Sequence, residues 1–164
     1  MAKVNVRFTR DLKLDVDTLF QVLTEVKYNE EKFKYLGYHE IEVKKNTDGE
    51  TIYMESSWVL GAIPSPFDKF LNKNKLLKKD VWKKLNAQSY TCRFETTFPG
   101  GAIYVLADMN IKGIASNMSS FEMVGSCESK IPLVGGRIAD YAAQEMPKSL
   151  LKEFEFLYKY KAIT

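Results

Sequence analysis

Residues 130–151, KIPLVGGRIADYAAQEMPKSLL, contain the point at which one hydrophobic pattern gives way to another. The residues before this stretch alternate between apolar and polar, which predicts a β-strand with one buried face. Within it the pattern changes to an apolar residue at every third or fourth position, which predicts a helix. Gly135 and Gly136 stand at the junction. A glycine pair there is typical of a phosphate cradle, or of a tight corner that returns a helix across a sheet.

The corner is the favoured interpretation of the glycine pair. A Walker loop would read GxxxxGK(S/T), and PLVGGRI at residues 132–138 does not. Glycine suits a corner where a side chain would collide or where the backbone needs a positive φ. The alternative that stays open is an anion site formed by free N–H groups at the helix start, with Arg137 nearby.

The helix after the corner is predicted from about Gly136 to Tyr160, and it carries one continuous apolar stripe. The stripe consists of Ile138, Ala142, Met146, Leu150, Phe154 and Leu157. Pro147 lies inside the helix and lacks the N–H that would reach the carbonyl of Ala143, so a kink or break is predicted near Met146. A stripe of this length needs an apolar surface to cover.

Alternating segments upstream provide that surface. The first strand is predicted at residues 3–11, and two short helices follow at residues 14–26, capped by Asp15, and at residues 29–37, capped by Asn29. Further strands are predicted at residues 39–45, 51–60, 77–85, 89–98, 102–113 and 119–131. The Lys-rich segment at residues 77–85 also fits a basic amphipathic helix. The clear alternation at residues 89–98 favours its assignment as the first strand of a hairpin.

This order predicts an α+β fold in which a curved antiparallel sheet of about seven strands wraps around the long C-terminal helix. Residues 1–164 are predicted to form a single domain. The inward positions mix bulky aromatic with small side chains, which favours a cavity between sheet and helix, and closure of that space by the aromatic side chains is the alternative. The predicted cavity residues are Met54, Ser56, Trp58, Tyr90, Phe94, Val105, Ala107, Met109, Phe121, Met123, Ile138, Tyr141, Ala142 and Met146.

Two segments carry a resemblance to a known family. IPLVGGRIADY at residues 131–141 and FPGGAIYVLADMNIKG at residues 98–113 are similar to an uncharacterised family of the START-like (SRPBCC, Bet v 1-like) superfamily, in which a P-x-x-G-G corner precedes the terminal helix. The resemblance implies the helix-grip fold and a hydrophobic cavity for a lipid-like or polycyclic ligand. Relatives include lipid carriers, polyketide cyclases and chaperone-associated domains. Pro147 departs from their uninterrupted terminal helix.

The polar residues offer little sign of catalysis or metal binding. Ser56, Tyr90, Thr96, Tyr141 and Glu145 would orient a ligand headgroup, or bond to backbone and water at the rim. Resemblance to START-like cyclases makes the Tyr141 hydroxyl a conceivable general acid, but no partner is evident and no catalytic residue is assigned. His39 is the single histidine, so no metal site is predicted, nor any cofactor. Cys92 and Cys127 are predicted to be buried free thiols rather than a disulfide.

Composition bears on partners and location. The 164 residues include 24 basic and 21 acidic ones, and the net charge of +3 does not indicate a nucleic-acid partner. The N-terminus lacks a signal-peptide pattern and no apolar run is long enough to span a bilayer, which predicts a cytoplasmic protein. A basic edge with an aromatic neighbour favours either peripheral membrane contact or a solvated strand face. This edge consists of Lys73, Lys75, Lys78, Lys79 and Trp82.

The sequence therefore predicts binding of a hydrophobic small molecule or lipid, as a carrier or sensor without catalysis. One alternative is a polyketide cyclase-like or hydrolase-like enzyme that uses the same cavity. Another is a chaperone-associated or membrane-surface interaction module that uses the basic edge.

Overall fold

The computed structural model describes residues 2–71 and 75–163. Seven strands form one sheet: β1 (Ala2–Leu12), β2 (His39–Asp48), β3 (Thr51–Val59), β4 (Leu76–Asn86), β5 (Ser89–Thr97), β6 (Tyr104–Ala115) and β7 (Met118–Ser129). Four helices accompany them: α1 (Val16–Leu23), α2 (Val26–Tyr35), α3 (Asp68–Leu71) and α4 (Gly135–Tyr160). A single 3₁₀ turn, Pro99–Gly101, joins β5 to β6.

All neighbouring strands of the sheet are antiparallel, in the order β1-β7-β6-β5-β4-β3-β2. Helix α4 packs across the concave face, against β1 and β7, and α1 and α2 follow the first strand. This arrangement confirms the predicted helix-grip fold. The predicted cavity residues of β6 and β7 are all buried, because alternate side chains of a strand point to the same face of the sheet; they are Val105, Ala107, Met109, Phe121 and Met123.

The two short helices begin differently from one another. Asp15 caps α1 as predicted, because its carboxylate accepts a hydrogen bond from the Thr18 N–H at 3.1 Å. Hydrogen bonding by the Thr18 side chain, and then by its backbone N–H, lowers the pKa of Asp15. The predicted cap of α2 is wrong, because that helix begins at Val26, three residues before Asn29. The Asn29 side chain is buried and donates to the carbonyls of Leu23 and Glu25 at 3.0 and 2.8 Å. Asn29 thus ties the two helices together.

Helix α4 runs for 26 residues with Pro147 inside it, so the predicted break near Met146 is wrong. Its apolar stripe is buried on both sides of the proline, at Ile138 and Ala142 before it and at Leu150 and Phe154 after it. Tertiary burial of this stripe outweighs the single backbone hydrogen bond that proline removes. Among the residues that the structure describes, no helix combines the length and apolar character needed to cross a membrane.

At the corner before α4 the steric requirement falls on Gly135, because a Cβ at Gly136 would meet no atom within 4 Å. A Cβ at Gly135 would lie 3.3 Å from the carbonyl oxygen of Ser129, so a side chain there would be tightly crowded. The positive φ of the corner falls on Leu133, at 68°, and on neither Gly135 nor Gly136. The Gly135 N–H donates to the carbonyl of Ile131 at 2.9 Å, so it is not free to bind an anion.

Candidate functional site

A cavity of about 440 Å³ lies between α4 and the concave face of the sheet, where residues of all five strands from β3 to β7 line it, at the end that holds Trp58, Lys78 and Phe94. The end of α2 and the segments around residues 36–38 and 60–63 complete its wall. Four of its lining residues are exposed, namely Gly37, Ala62, Lys148 and Lys152. The cavity therefore opens to solvent between α4 and these two segments.

Eight of the fourteen predicted cavity residues line this space. They are Trp58, Phe94, Val105, Met109, Met123, Tyr141, Ala142 and Met146. Of the polar residues proposed to orient a ligand, Thr96 and Glu145 also line it. Ligand binding by these residues stays a prediction.

The other six lie elsewhere in the interior: Met54, Ser56, Tyr90, Ala107, Phe121 and Ile138. The ring centres of Phe20 and Tyr90 are 3.9 Å apart, and those of Phe154 and Phe121 are 4.9 Å apart. Aromatic side chains of α1 and α4 thus fill the space above Tyr90 and Phe121. The small residues Ala107 and Gly125 also leave no void, because a Cβ at Gly125 would approach the Ala107 Cβ to a forbidden 2.4 Å. They serve the close packing of β6 and β7.

The peripheral membrane edge predicted on β4 is not assembled. Trp82 is only 2% exposed, and the Lys78 side chain is 16% exposed and lines the cavity. Lys75 and Lys79 are exposed, and Lys73 lies outside the described residues. Every second residue of β4 points to the inner side of the sheet, so Lys78 and Trp82 face the interior. The inward residues are Leu76, Lys78, Asp80 and Trp82.

Sequence reasoning found Trp58 but missed Lys78 and the two aromatic residues that stack on Trp58, Phe33 and Tyr38, as parts of the site. The parity of Lys78 with Leu76 and Trp82 was a usable signal for the lysine. The two aromatic residues had none, because Phe33 stacks on Trp58 at 4.5 Å and Tyr38 stacks on Trp58 at 5.3 Å only after α2 reaches β3. Near the mouth, Phe67 stacks on Tyr141 at 4.3 Å.

Two ion pairs lie beside the cavity. Lys78 Nζ is 3.3 Å from Asp80 Oδ1, and Lys32 Nζ is 3.0 Å from a carboxylate oxygen of Glu153. Burial lowers the pKa of Lys32, although Glu153 opposes the shift. At Lys78 burial again acts to lower the pKa, but Asp80 and Glu153 outweigh it and the pKa is raised. Both amines sit among carboxylates, and Lys78 is held as an ammonium.

Two buried polar atoms in this region lack a hydrogen-bond partner among the described residues. They are Trp58 Nε1, a donor, and Asp80 Oδ1, an acceptor. Asp80 Oδ1 is within ion-pair distance of the Lys78 ammonium, yet the angles do not make a hydrogen bond. The ammonium of Lys78 thus keeps hydrogen-bond donors that Asp80 does not use.

The cysteine and tyrosine side chains considered as reactive groups are protonated at neutral pH. Cys127 Sγ lies 3.3 Å from Met146 Sδ, and burial raises the pKa of this thiol to about 11. Burial also raises the pKa of Cys92, and both thiols are free and buried. Burial and then Glu145 raise the pKa of Tyr141, so its hydroxyl keeps its proton at neutral pH. His39 is exposed on the edge strand, and no group of three potential ligands could hold a metal within residues 2–71 and 75–163.

Comparison with solved structures relates the fold to three proteins. The aromatase/cyclase ZhuI from Streptomyces sp. R1128 has a TM-score of 0.67 at 6% identity, over 96% of this chain and 93% of that one. Human STARD10 has a TM-score of 0.67 at 15% identity, over 98% of this chain and 64% of that one. Ara h 8.0201 has a TM-score of 0.61 at 14% identity, over 97% of both chains. These similarities show a START/Bet v 1-like fold.

Comparison of the sequence with protein families gives one match that spans most of the chain. Residues 7–160 match the family described as "Protein of unknown function (DUF2505)", and the chain belongs to it. The search of curated proteins found no significant match.

Proposed function

We propose that this chain, with residues 1–164 acting as one domain, binds a hydrophobic small molecule or lipid in the cavity beneath α4, as a carrier or sensor without catalysis. The observation that carries the proposal is the open space of about 440 Å³ within an otherwise packed interior. Sites for small molecules commonly enclose roughly 300–1,000 Å³, so the space is large enough for a ligand.

The chemistry of the wall supports an apolar ligand. Trp58, Phe94 and Val105 from three strands face Ala142 and Leu150 of α4 across the cavity. Each of these side chains is already at least nine-tenths buried, so a ligand would be surrounded by carbon on several sides. Removing apolar ligand surface from water is worth about 25 cal/mol per Å², which is the driving force for such binding.

The first experiment is native mass spectrometry of the purified chain, followed by solvent extraction and identification of bound species. We expect a stoichiometric hydrophobic adduct. In Ala142→Leu the larger side chain projects from α4 into the cavity, so the adduct should fall at least several-fold.

Gln144→Leu provides the matched control, because it adds a leucine to the exposed face of the same helix. Its adduct should equal that of the parent chain. Loss of adduct in both variants, or retention in both, would contradict binding in this cavity.

A second candidate is an enzyme in the same cavity, favoured by the presence of Lys78 and Glu153 in its wall. An ammonium and a carboxylate in one apolar space are groups that general acid–base catalysis uses. The extracted ligand, returned to the protein at neutral pH, should keep its mass if the protein is a carrier. A change in mass that Lys78→Met abolishes would favour the enzyme.

A further inference from the structure

The charged side chains around the cavity differ in how fully their ion pairs within the protein occupy them. Both carboxylates that line it are engaged by lysines of the protein: Glu153 pairs with Lys32 at 3.0 Å and Glu145 pairs with Lys148 at 3.2 Å. Lys32 is buried and does not line the cavity, so withdrawing Glu153 toward a ligand would leave a buried cation unpaired.

Lys78 differs from these groups. It lines the cavity, whereas its partner Asp80 lies outside the wall and makes an ion pair without a hydrogen bond. Its ammonium also lies 4.8 Å from the centre of the Phe94 ring, which anchors the side chain at the cavity face of the sheet. Among the charged groups that line the cavity interior, the one with hydrogen-bonding capacity left for a ligand is therefore the ammonium of Lys78.

The mouth of the cavity also carries an unpaired positive charge among the described residues. Lys152 lines the cavity, is exposed, and takes part in none of the ion pairs formed among the residues that the structure describes. The buried Trp58 Nε1 adds a second donor without an acceptor near the wall. An approaching anion would meet a lysine at the entrance and another inside.

Resting on the proposed function, we propose that the ligand is an aromatic acid, whose carboxylate pairs with the ammonium of Lys78 while its rings lie against the wall formed by Phe33, Tyr38 and Trp58. The pKa of Lys78 is raised by Asp80 and Glu153 against the effect of burial, so the ammonium persists at neutral pH. A carboxylate bound to a buried ammonium forms a charge-assisted hydrogen bond, which is stronger than a neutral one.

The test is isothermal titration of the full chain with three naphthalene probes that differ only in the polar group: 2-naphthoate, 2-naphthalenemethanol and 2-naphthylmethylammonium. We expect naphthoate to bind about tenfold or more tightly than the alcohol, and the cation to bind most weakly. Equal affinity for the three probes, preference for the cation, or no binding of naphthoate would overturn the proposal.

Variants locate the effect. Lys78→Met should lower the affinity for naphthoate until it no longer exceeds that for the alcohol, whereas Lys79→Met, on the exposed side of the same strand, should behave like the parent. Asp80→Asn takes away the competing carboxylate while Glu153 still favours the charged form of Lys78, so it should raise naphthoate affinity about threefold or more. If Lys78→Met does not fold, Asp80→Asn provides the test. An affinity of Asp80→Asn for naphthoate that equals or falls below that of the parent would contradict the proposal.

The adduct from native mass spectrometry separates this proposal from the one on which it rests. A bound neutral or cationic hydrophobic species would keep the binding function and overturn the acidic ligand. The absence of any adduct, together with no binding of the three probes, would overturn both.

Discussion

The two ends of the concave face are built on one sheet and covered by one helix, yet one is filled and the other is open. At the closed end, around Phe8, Phe121 and Phe154, the ring centres of Phe8 and Phe154 are 6.0 Å apart, and those of Phe121 and Phe154 are 4.9 Å apart. At the open end, Trp58 and Ala142 line a space of about 440 Å³.

The difference lies in what covers the sheet besides α4. Helix α1 packs on β6 and β7 and delivers Phe20 onto Tyr90 and Trp82, with ring centres 3.9 and 5.7 Å apart. At the open end the described residues that cover the space are the last turn of α2, Leu71 of α3 and the segments around residues 36–38 and 60–63, and they leave a mouth. Alternation of apolar residues along the strands is the same at both ends, so the inner surface of a sheet does not by itself make a cavity.

The largest expected effect comes from a matched pair of truncations on α4. Leu157 is fully buried at the closed end, and Leu150 lines the cavity at the open end. Leu157→Ala should lower the free energy of unfolding by about 4 kcal/mol, and Leu150→Ala by about 2 kcal/mol, because the latter already faces empty space. Urea unfolding followed by circular dichroism measures both, and equal losses would contradict the contrast between the ends.

Breaking the buried pair beside the open end should have the next largest effect. Glu153→Gln leaves the Lys32 ammonium, whose side chain is 5% exposed, without its carboxylate. We expect a loss of about 2–3 kcal/mol, at the lower end for buried pairs because Glu153 is itself 21% exposed. Thermal unfolding measures it.

Glu155→Gln is the control for that variant. Glu155 is exposed on the same helix and lies 3.9 Å from the exposed Lys159, so its loss should change the free energy of unfolding by less than about 0.5 kcal/mol. Similar losses in the two variants would mean that the Lys32 pair is no more important than a surface pair.

The smallest expected effect concerns a hydrogen bond at the closed end. The Tyr90 hydroxyl donates to Asp17 at 2.6 Å, and burial together with this bond raises the pKa of Tyr90 from 10.0 to about 12. A tyrosine that holds its proton longer in the folded state stabilises the fold fully below pH 10, and that contribution is lost as the pH rises toward 12.

Tyr90→Phe should therefore lose about 1 kcal/mol at neutral pH, and its stability should fall less than that of the parent between pH 10 and 12. Denaturant unfolding at a series of pH values measures both. Parallel pH profiles for parent and variant would show that Tyr90 does not titrate with folding.

The glycines and prolines show where sequence reasoning worked and where it did not. Gly135 was predicted to lie at a corner and does, because a junction between period two and a helical period is visible in the residues alone. Pro147 was predicted to interrupt the helix and does not, since the stripe on both sides of it packs on the same sheet. The local rule for proline is correct in an isolated helix, and packing overrides it here.

The residues of the candidate site also fall into those that the sequence predicts correctly and those that it does not. Trp58, Phe94 and Val105 were found because strand parity places them on the inner face. Tyr90 and Phe121 share that parity but do not line the cavity, because aromatic side chains from α1 and α4 cover them. The charge of Lys78 favours a surface edge, whereas its parity with Leu76 and Trp82 places it on the inner face, where the structure has it.

The order of the elements, the inner faces of β6 and β7 and the apolar stripe of α4 can be predicted from the residues alone, because hydrophobic periodicity is a property of neighbouring residues. Three features depend on tertiary packing: which part of the concave face stays open, the inward position of Lys78 and Trp82 on the basic strand β4, and the continuation of α4 past Pro147. These outcomes depend on contacts between residues far apart in the chain, such as Phe20 with Tyr90 and Phe33 with Trp58. Such contacts exist only once the helices have packed on the sheet.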